Sequence, residues 1–467
     1  MVWGYFLQIL DKTVLGYGAL FGLKEDTHLT GQQYSLASSG TAIAQLAWQP
    51  FSSYLIVRVP HRWLFPTLVF CWGAVQACMA SVNSFGPLFA CRFLLGLFEA
   101  GCFPLFSIIV SKWYRRSEHP VRIAAFYSTN GIANIVAAAI SYGLSRIEEP
   151  ALAPWRILFL MAGVMTVASA FPIWYYLADD PSTAWFLTEE ERLQAVERLR
   201  ANQDGAGSRE FKLAHLLEVA VEVKSYLWIG MALCLNVCAM VANTFGPLIL
   251  NGIGFDKYKT TLLNMPFGVV QIVTICACAY ACQKLKLKSP ICVAISAPVI
   301  AGVCVLYTVP RKDSNTGPLL LAYYLTAFVF SGNAPVASWI VGNTGGSTKK
   351  SVIMGLYNAS SAAGSIIGPL LFSADDAPQY RKGLRSVLGI TIAFAVLVIM
   401  QVWVLKFLNR SQERKRVANG KQAKIHDHSM EERYVAINVG NEEEGRVGSN
   451  AFKDLTDRQN DEFTYIY

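Results

Sequence analysis

Residues 85–109 read FGPLFACRFLLGLFEAGCFPLFSII, an apolar run broken only by one cation, Arg92, and one acid, Glu99. A helix needs about 20 mostly apolar residues to cross the ~30 Å hydrocarbon core of a bilayer. This stretch is long enough to cross, and two charges are too few to hold it in water. Similar runs lie on both sides of it. They fall near 1–23, 39–57, 64–82, 121–145 and 155–177, and then near 226–250, 260–283, 290–309, 318–341, 349–372 and 384–408. The first run is too long for a signal-peptide core and lacks a cleavage site, so it reads as a spanning helix. The whole chain is 53% hydrophobic and 15% charged, where a soluble globular chain is roughly a quarter charged. The expected fold class is an all-α polytopic membrane protein with twelve transmembrane helices in two six-helix halves.

Between the sixth and seventh runs the character changes. Residues 178–225 are rich in Asp, Glu and Arg, and Thr188 followed by Glu191 fits a capping box that starts a helix. The expected organisation is a first half over 1–177, a water-exposed central loop over 178–225 and a second half over 226–408. A polar, disordered tail is expected over 409–467. Two such halves are typical of transporters that rock around a site near the membrane midplane.

The net charge of +8 does not point to nucleic acid, because the cations sit in short loops and no basic, aromatic-interleaved patch is present. Alternate loops carry Arg58 and Arg62; Lys112, Arg115 and Arg116; Arg192, Arg198 and Arg200; Lys284, Lys286 and Lys288; and Lys349 and Lys350. The tail adds Arg414, Lys415 and Arg416, while Arg381, Lys382 and Arg385 blur the contrast from the other side. The positive-inside bias then puts both termini in the cytoplasm. All eleven cysteines fall inside apolar runs, which suits packing and not a disulfide framework. Cys276, Cys278 and Cys282 have no acid or histidine nearby, so no metal is expected. His28, His61, His119, His215, His426 and His428 lie in loops or tail, so no histidine relay is expected. There is no nucleophile elbow, HExxH or Walker loop, and hence no catalytic residue or cofactor to nominate.

Chemistry is expected where charge is costly. An ionisable group near the bilayer centre costs about 2.5–3.5 kcal/mol on insertion scales, so each is a functional candidate. Asp11 and Lys12 sit mid-way along the first span. As helical neighbours they diverge by about 100° and meet different surroundings. Arg92 and Glu99 are seven residues apart, which puts them on one side of a helix about 10 Å apart. Gly96, Gly101 and Pro104 thin that helix for a ligand or another helix. The arginine fork suits a carboxylate, and a buried glutamate can switch between neutral and charged forms. The alternative for either pair is an ion pair that only fixes helix packing, with little net stabilisation. Softer candidates for substrate contact are Gln45, Trp48 and Gln49 in the second span, Trp339 and Asn343 in the tenth, and Tyr357 and Asn358 in the eleventh. Interhelical hydrogen bonding is the competing role for these polar groups.

Several stretches together resemble the major facilitator superfamily, and within it the fungal anion:cation symporters, the allantoate permease-like carriers. Leu10-Asp11-Lys12 is similar to the Leu-Asp-Arg of that family's first helix. The run from Arg92 through Gly96, Glu99 and Gly101 to Pro104 resembles its fourth-helix motif. Asp180-Pro181 with Ala184, Leu187-Thr188 and Glu191-Arg192 follows the sixth span as in the family. Ser338-Trp339 with Asn343 then leads into Thr348-Lys349-Lys350. Ala377-Pro378 with Tyr380 and Gly383 precedes the last span, and Asp454-Leu455-Thr456-Asp457 with Asn460, Phe463 and Tyr465 resembles the C-terminal signature.

The resemblance implies the major facilitator fold and proton-coupled uptake of a small organic anion by alternating access. Asp11 and Glu99 take the proton-handling roles, and Lys12 and Arg92 the cationic ones. It implies a multi-pass plasma-membrane monomer whose partners are the anion, protons and lipid. Three departures stand out. Lys12 replaces an arginine and so loses the planar fork. The second-to-third loop signature is eroded to Val57-Arg58-Val59-Pro60-His61-Arg62. The family's polar N-terminal extension does not precede the first span, so a longer natural start is expected. The fifth-span Asn130-Gly131-Ile132-Ala133-Asn134 lacks the Gly-Pro core of drug antiporters, which favours import. Two rival readings are a transporter-fold nutrient sensor with the tail as its output, and a uniporter without proton coupling.

Overall fold

The computed structural model describes residues 1–467 except 31–32, 145–151, 200–201, 203–209, 253–256, 311–314, 372–380 and 426–452. Arg200, residues 377–380, His426, His428 and the first part of the C-terminal segment lie outside the described residues.

In lipid every backbone N–H and C=O must find its partner within the segment, which leaves the helix as the way across for these runs. The first half contains α1 (Val2–Leu20), a single turn α2 (Leu23–Asp26), α3 (Gln33–Arg58), α4 (His61–Cys78), α5 (Phe85–Glu99), α6 (Cys102–Trp113), α7 (His119–Tyr127), α8 (Thr129–Leu144) and α9 (Pro154–Tyr176). Helices α5 and α6 together form the fourth span, and α7 and α8 the fifth. The central segment holds α10 (Glu189–Arg198) and α11 (Leu213–Val221). The second half follows with α12 (Val223–Gly252), α13 (Lys257–Leu285), α14 (Ser289–Thr308), α15 (Thr316–Thr326), α16 (Asn333–Gly342), α17 (Ser347–Leu370) and α18 (Arg381–Ala418). A 3-10 segment, Ala327–Gly332, joins α15 to α16 as the tenth span.

Among the described residues nine spans are long and apolar enough to cross a membrane. Helices α1, α3 and α17 complete the twelve, and their lower apolarity has a physical reason. Each turns polar side chains inward. Asp11 and Gln8 on α1, Gln45, Gln49 and Ser53 on α3, and Ser351 on α17 are all buried. The outer surface is apolar, with Phe51, Phe171, Trp403 and Phe407 exposed as lipid-facing side chains require.

Within the first half α4 packs on α9 and α3 on α5; within the second α12 packs on α17 and α18, and α14 on α15. Glycines set the closest approaches. A Cβ on Gly163 of α9 would lie 2.3 Å from the Ala77 nitrogen of α4, and one on Gly96 of α5 would lie 2.4 Å from the Thr41 carbonyl of α3. The halves meet along two seams. On the first, α3 crosses α17, where Ser351 Oγ donates to the Ser53 carbonyl at 2.9 Å. On the second, α8 crosses α13, where a Cβ on Gly131 would be 2.4 Å from the Gly268 carbonyl.

The capping box takes the geometry its sequence predicts. The Thr188 N–H donates to Glu191 Oε2 at 2.9 Å, and the Glu191 N–H donates to Thr188 Oγ1 at 3.4 Å.

The expectation of a disordered tail from 409 is corrected in two places. Helix α18 carries on past its predicted end at 408 to Ala418. Residues 453–467 return to the bundle, where Thr456, Asp457, Asn460, Phe463 and Tyr465 are all buried. A polar composition left open whether these residues stay in water. They are ordered because basic residues on the bundle face offer partners for their acids.

Candidate functional site

The fourth span breaks between α5 and α6, and Pro104 explains why. Its ring has no N–H for the Ala100 carbonyl four residues earlier. That orphaned acceptor is taken up from the other half, where Asn358 Nδ2 of α17 donates to it at 2.8 Å and to Gln49 Oε1 of α3 at 2.9 Å. The neighbouring Glu99 carbonyl accepts from Gln8 Nε2 of α1 at 3.3 Å. A proline in one span thus gathers polar side chains from three other helices beside Glu99.

Glu99 stands at the centre of the charged cluster. Lys12 Nζ approaches its Oε2 at 3.6 Å, and Gln45 Nε2 donates to the same oxygen at 3.4 Å. Arg92 is buried on the same helix and interacts electrostatically with Glu99, Tyr34 and Asp11. Asp11 is fully buried, with Glu99, Trp72, Arg92 and Lys12 around it. All four charges predicted from sequence therefore belong to one cluster in the first half. Glu99 meets Lys12 directly, while Arg92 is one turn pair away as the spacing requires.

The cluster is under-satisfied. Among the described residues both Asp11 carboxylate oxygens, Arg92 Nε and Nη1, Glu99 Oε1, Gln8 Oε1 and Gln49 Nε2 are buried without a hydrogen-bond partner. Buried polar atoms are nearly always paired, and a lone buried charge costs several kcal/mol on an order-of-magnitude scale. Lys12, by contrast, keeps 38% of its side chain exposed. The cluster thus borders an accessible space and presents both a hydrogen-bonding deficit and two cations.

Beside it lies a second group that sequence reading did not pick out. Tyr5 of α1, Phe103 of α6 and Tyr127 of α7 form an aromatic cluster, with Tyr5 and Tyr127 ring centroids 5.8 Å apart. Tyr357 of α17 stacks on Phe103 at 5.5 Å, so this cluster spans both halves. The Tyr357 hydroxyl donates to Asn333 Oδ1 at 2.5 Å, and Asn236 Nδ2 of α12 donates to the same atom at 3.3 Å. Among the described residues Asn333 Nδ2 is buried without a hydrogen-bond partner. The available signal was an asparagine in an apolar run, which Asn236 and Asn333 both show. Tyr5, Phe103 and Tyr127 read as ordinary apolar content.

The predicted softer contacts divide. Gln45, Gln49, Tyr357 and Asn358 join the two clusters. Trp48 does not. It is half-buried and stacks at 4.8 Å on Phe51, which is exposed on the outside of the bundle. Trp339 and Asn343 are also corrected, because the C-terminal segment occupies their polar groups. Trp339 Nε1 donates to the Ile466 carbonyl at 2.8 Å, Asn343 Nδ2 donates to the same carbonyl at 2.9 Å, and Asn343 Oδ1 accepts from the Ile466 N–H at 2.8 Å. Sequence alone could not separate a partner in the tail from a partner in the cargo.

The cysteines are free thiols, with Cys282 buried and Cys276 exposed on the same helix. Outside the spans, shifted acids mark the tail. Burial alone would push the Asp457 carboxyl up, but the Lys224 and Lys349 ammoniums beside it hold it well below the usual carboxylate range. Burial likewise opposes Asp454, which the Ser347 N–H and Lys212 hold below its ordinary value.

Known proteins fit this architecture. The sequence pattern of the Major Facilitator Superfamily matches residues 1–369. The thiamine pathway transporter THI73 of Saccharomyces cerevisiae is 30% identical over 473 residues, covering 99% of this chain and 83% of the relative. The allantoate permease of the same yeast is 28% identical over 477 residues, covering 99% and 83%. Among solved structures, the proton:xylose symporter XylE aligns with a TM-score of 0.68 at 12% identity, covering 86% of this chain and 93% of that one, a likeness of fold. With twelve spans, the matching pattern and fungal transporter relatives aligned over 99% of it, this chain belongs to the major facilitator superfamily and is a membrane transporter, not an enzyme.

Proposed function

We propose that the protein is a proton-coupled symporter that carries a small organic anion by alternating access. The observation that carries this reading is the buried, partner-deficient cluster of Asp11, Arg92 and Glu99 with Lys12 at its accessible edge. A carboxylate cargo supplies the acceptors that Arg92 lacks, in the bidentate manner a guanidinium favours. A proton on Glu99 frees Lys12 from its ion pair, so proton binding and anion binding reinforce each other. Asp11 is the second proton acceptor, held close to Arg92. Gln45 orients Glu99, and Asn333 Nδ2 with Tyr357 forms a neutral wall from the other half for the uncharged part of the cargo.

That a relative aligned over 99% of this chain is named for allantoate, a carboxylate, agrees with an anion of this class. Lys112, Arg115, Arg116, Lys284, Lys288, Lys349 and Lys350 lie at or near helix ends in alternate connections, which supports a cytoplasmic side for those ends.

The test is saturable uptake of a panel of labelled small carboxylates into proteoliposomes, with Arg92→Ala beside the unmodified protein. At least one anion is expected to enter in a saturable manner, and the variant is expected to lose that uptake. An Arg92→Ala protein, correctly folded, that transports the same anion at an unchanged rate removes the cluster from cargo binding.

A further inference from the structure

The C-terminal segment is attached to both halves. On the second half its hold is deep and charged. Asp457 is fully buried and pairs with Lys224 and with Lys349 Nζ, the latter at 2.8 Å, while Tyr465 Oη donates to Asp457 Oδ2 at 2.7 Å. Asp454 takes the Ser347 N–H at 2.8 Å and meets Lys212 at 2.9 Å. Further along, Asn409 of α18 exchanges bonds with Tyr465 at 2.8 and 2.9 Å, Asn343 brackets Ile466, and the Lys288 N–H donates to the Tyr467 carbonyl at 2.9 Å. Glycines leave room for it. A Cβ on Gly345 would lie 2.8 Å from the Asp457 nitrogen, and one on Gly342 would lie 2.9 Å from Ile466 Cδ1.

On the first half the segment is met by Arg116. Arg116 lies in the short connection between α6 and α7. Its Nη1 donates to the Thr464 carbonyl at 3.2 Å, and its guanidinium sits 4.3 Å from the Phe463 ring centroid. A guanidinium stacked on a ring and bonded to a backbone carbonyl is a directional contact of modest strength, easily remade. On the same side of the bundle, Ser53 and Ser351 close the seam between α3 and α17.

From these contacts with both halves we propose that residues 453–467 are a latch: anchored on the second half, they grip Arg116 of the first half and hold the tail side of the transport path shut. When the halves part on that side, the segment travels with α12, α17 and α18, and the Arg116 contact breaks. The latch rests on the alternating-access reading above, and it adds a specific residue contact that sets how long the carrier waits in the state closed on the tail side.

Two arms test it in the full chain, with native cysteines replaced. In the first, Ser351→Cys reports on the seam through its rate of alkylation in the absence of any cargo. Arg116→Ala is expected to raise that rate roughly tenfold, the effect of losing one hydrogen bond to a charged group. In the second, Arg116→Cys and Phe463→Cys are joined by a cleavable bis-maleimide. Cross-linking is expected to stop uptake, and cleavage to restore it. A seam alkylated no faster in the Arg116→Ala protein, or a cross-linked carrier that transports at the uncross-linked rate, overturns the latch. If Arg116→Ala fails to reach the membrane, the cross-linking arm decides. Should the unmodified protein move no anion at all, the symport reading falls, and the cargo-free alkylation rate still decides the latch.

Discussion

Replacing Glu99 by glutamine keeps the shape of the side chain and removes its charge. At 3.6 Å from Lys12 Nζ, a full ion pair is worth about 4–5 kcal/mol at an effective dielectric near 20. Lys12 keeps 38% of its side chain exposed, so solvent screening brings that down to about 2 kcal/mol, or roughly thirtyfold in an equilibrium constant. In the unmodified protein an incoming carboxylate competes with Glu99 for Lys12. In the Glu99→Gln protein that competition is gone, as it is when Glu99 is protonated. The variant is therefore expected to bind its anion up to roughly thirtyfold more tightly at neutral pH, with the pH dependence of binding lost. It is expected to exchange labelled for unlabelled anion across the membrane but not to accumulate anion when the outside is made acidic. The assay compares counterflow with gradient-driven uptake in the same proteoliposomes. Accumulation at the unmodified rate, with unchanged anion affinity, refutes the role given to Glu99.

Other substitutions separate the remaining parts of the account. Arg92→Lys keeps the charge but not the planar fork, and is expected to weaken anion affinity about tenfold in a binding titration, since a bidentate contact becomes a single one. Trp339→Phe removes the donor to Ile466, a cost of about 1 kcal/mol; limited proteolysis is expected to cut the C-terminal segment faster, while the apparent affinity for cargo stays unchanged. Gly163→Ala drives a methyl to 2.3 Å from the Ala77 backbone nitrogen, and is expected to lower thermal stability in detergent by about 1–3 kcal/mol. Asp457 has its carboxyl held below its unfolded value, so its contribution to tail docking is present above about pH 3.9 and is lost as pH falls through the folded value. Protease protection of residues 453–467 is thus expected to be equal at pH 7 and pH 5.

Much of this molecule was legible in the linear chain because a bilayer imposes a simple rule. A run must be about 20 apolar residues long to cross, and it must be helical. Among the described residues nine spans obey that rule openly, whereas α1 falls short of it through Gln8, Asp11 and Lys12, and α3 and α17, which meet between the halves, through their Ser, Gln and Asn. The charged quartet was legible for the converse reason, as charges in an apolar run need a purpose or a partner. The fate of Trp339 and Asn343 was not. Their partners lie 127 and 123 residues away in the chain, at Ile466, and no local pattern encodes such a pairing. The Tyr5, Phe103 and Tyr127 cluster was hidden differently, since aromatic residues are ordinary in membrane spans and only three-dimensional proximity to Tyr357 makes them a junction. Pro104 sits between these cases. Its sequence position signals a break, but that Asn358 would answer the freed Ala100 carbonyl depends on how the second half docks.

The central claim is that one buried cluster binds an anion and a proton together. It is tested most directly by recording internal pH and labelled-anion uptake at the same time, in proteoliposomes holding the unmodified protein and no imposed gradient except that of the anion. The account predicts that the interior acidifies only when the transported carboxylate is supplied, and in step with its entry. Entry of the anion with no acidification contradicts it.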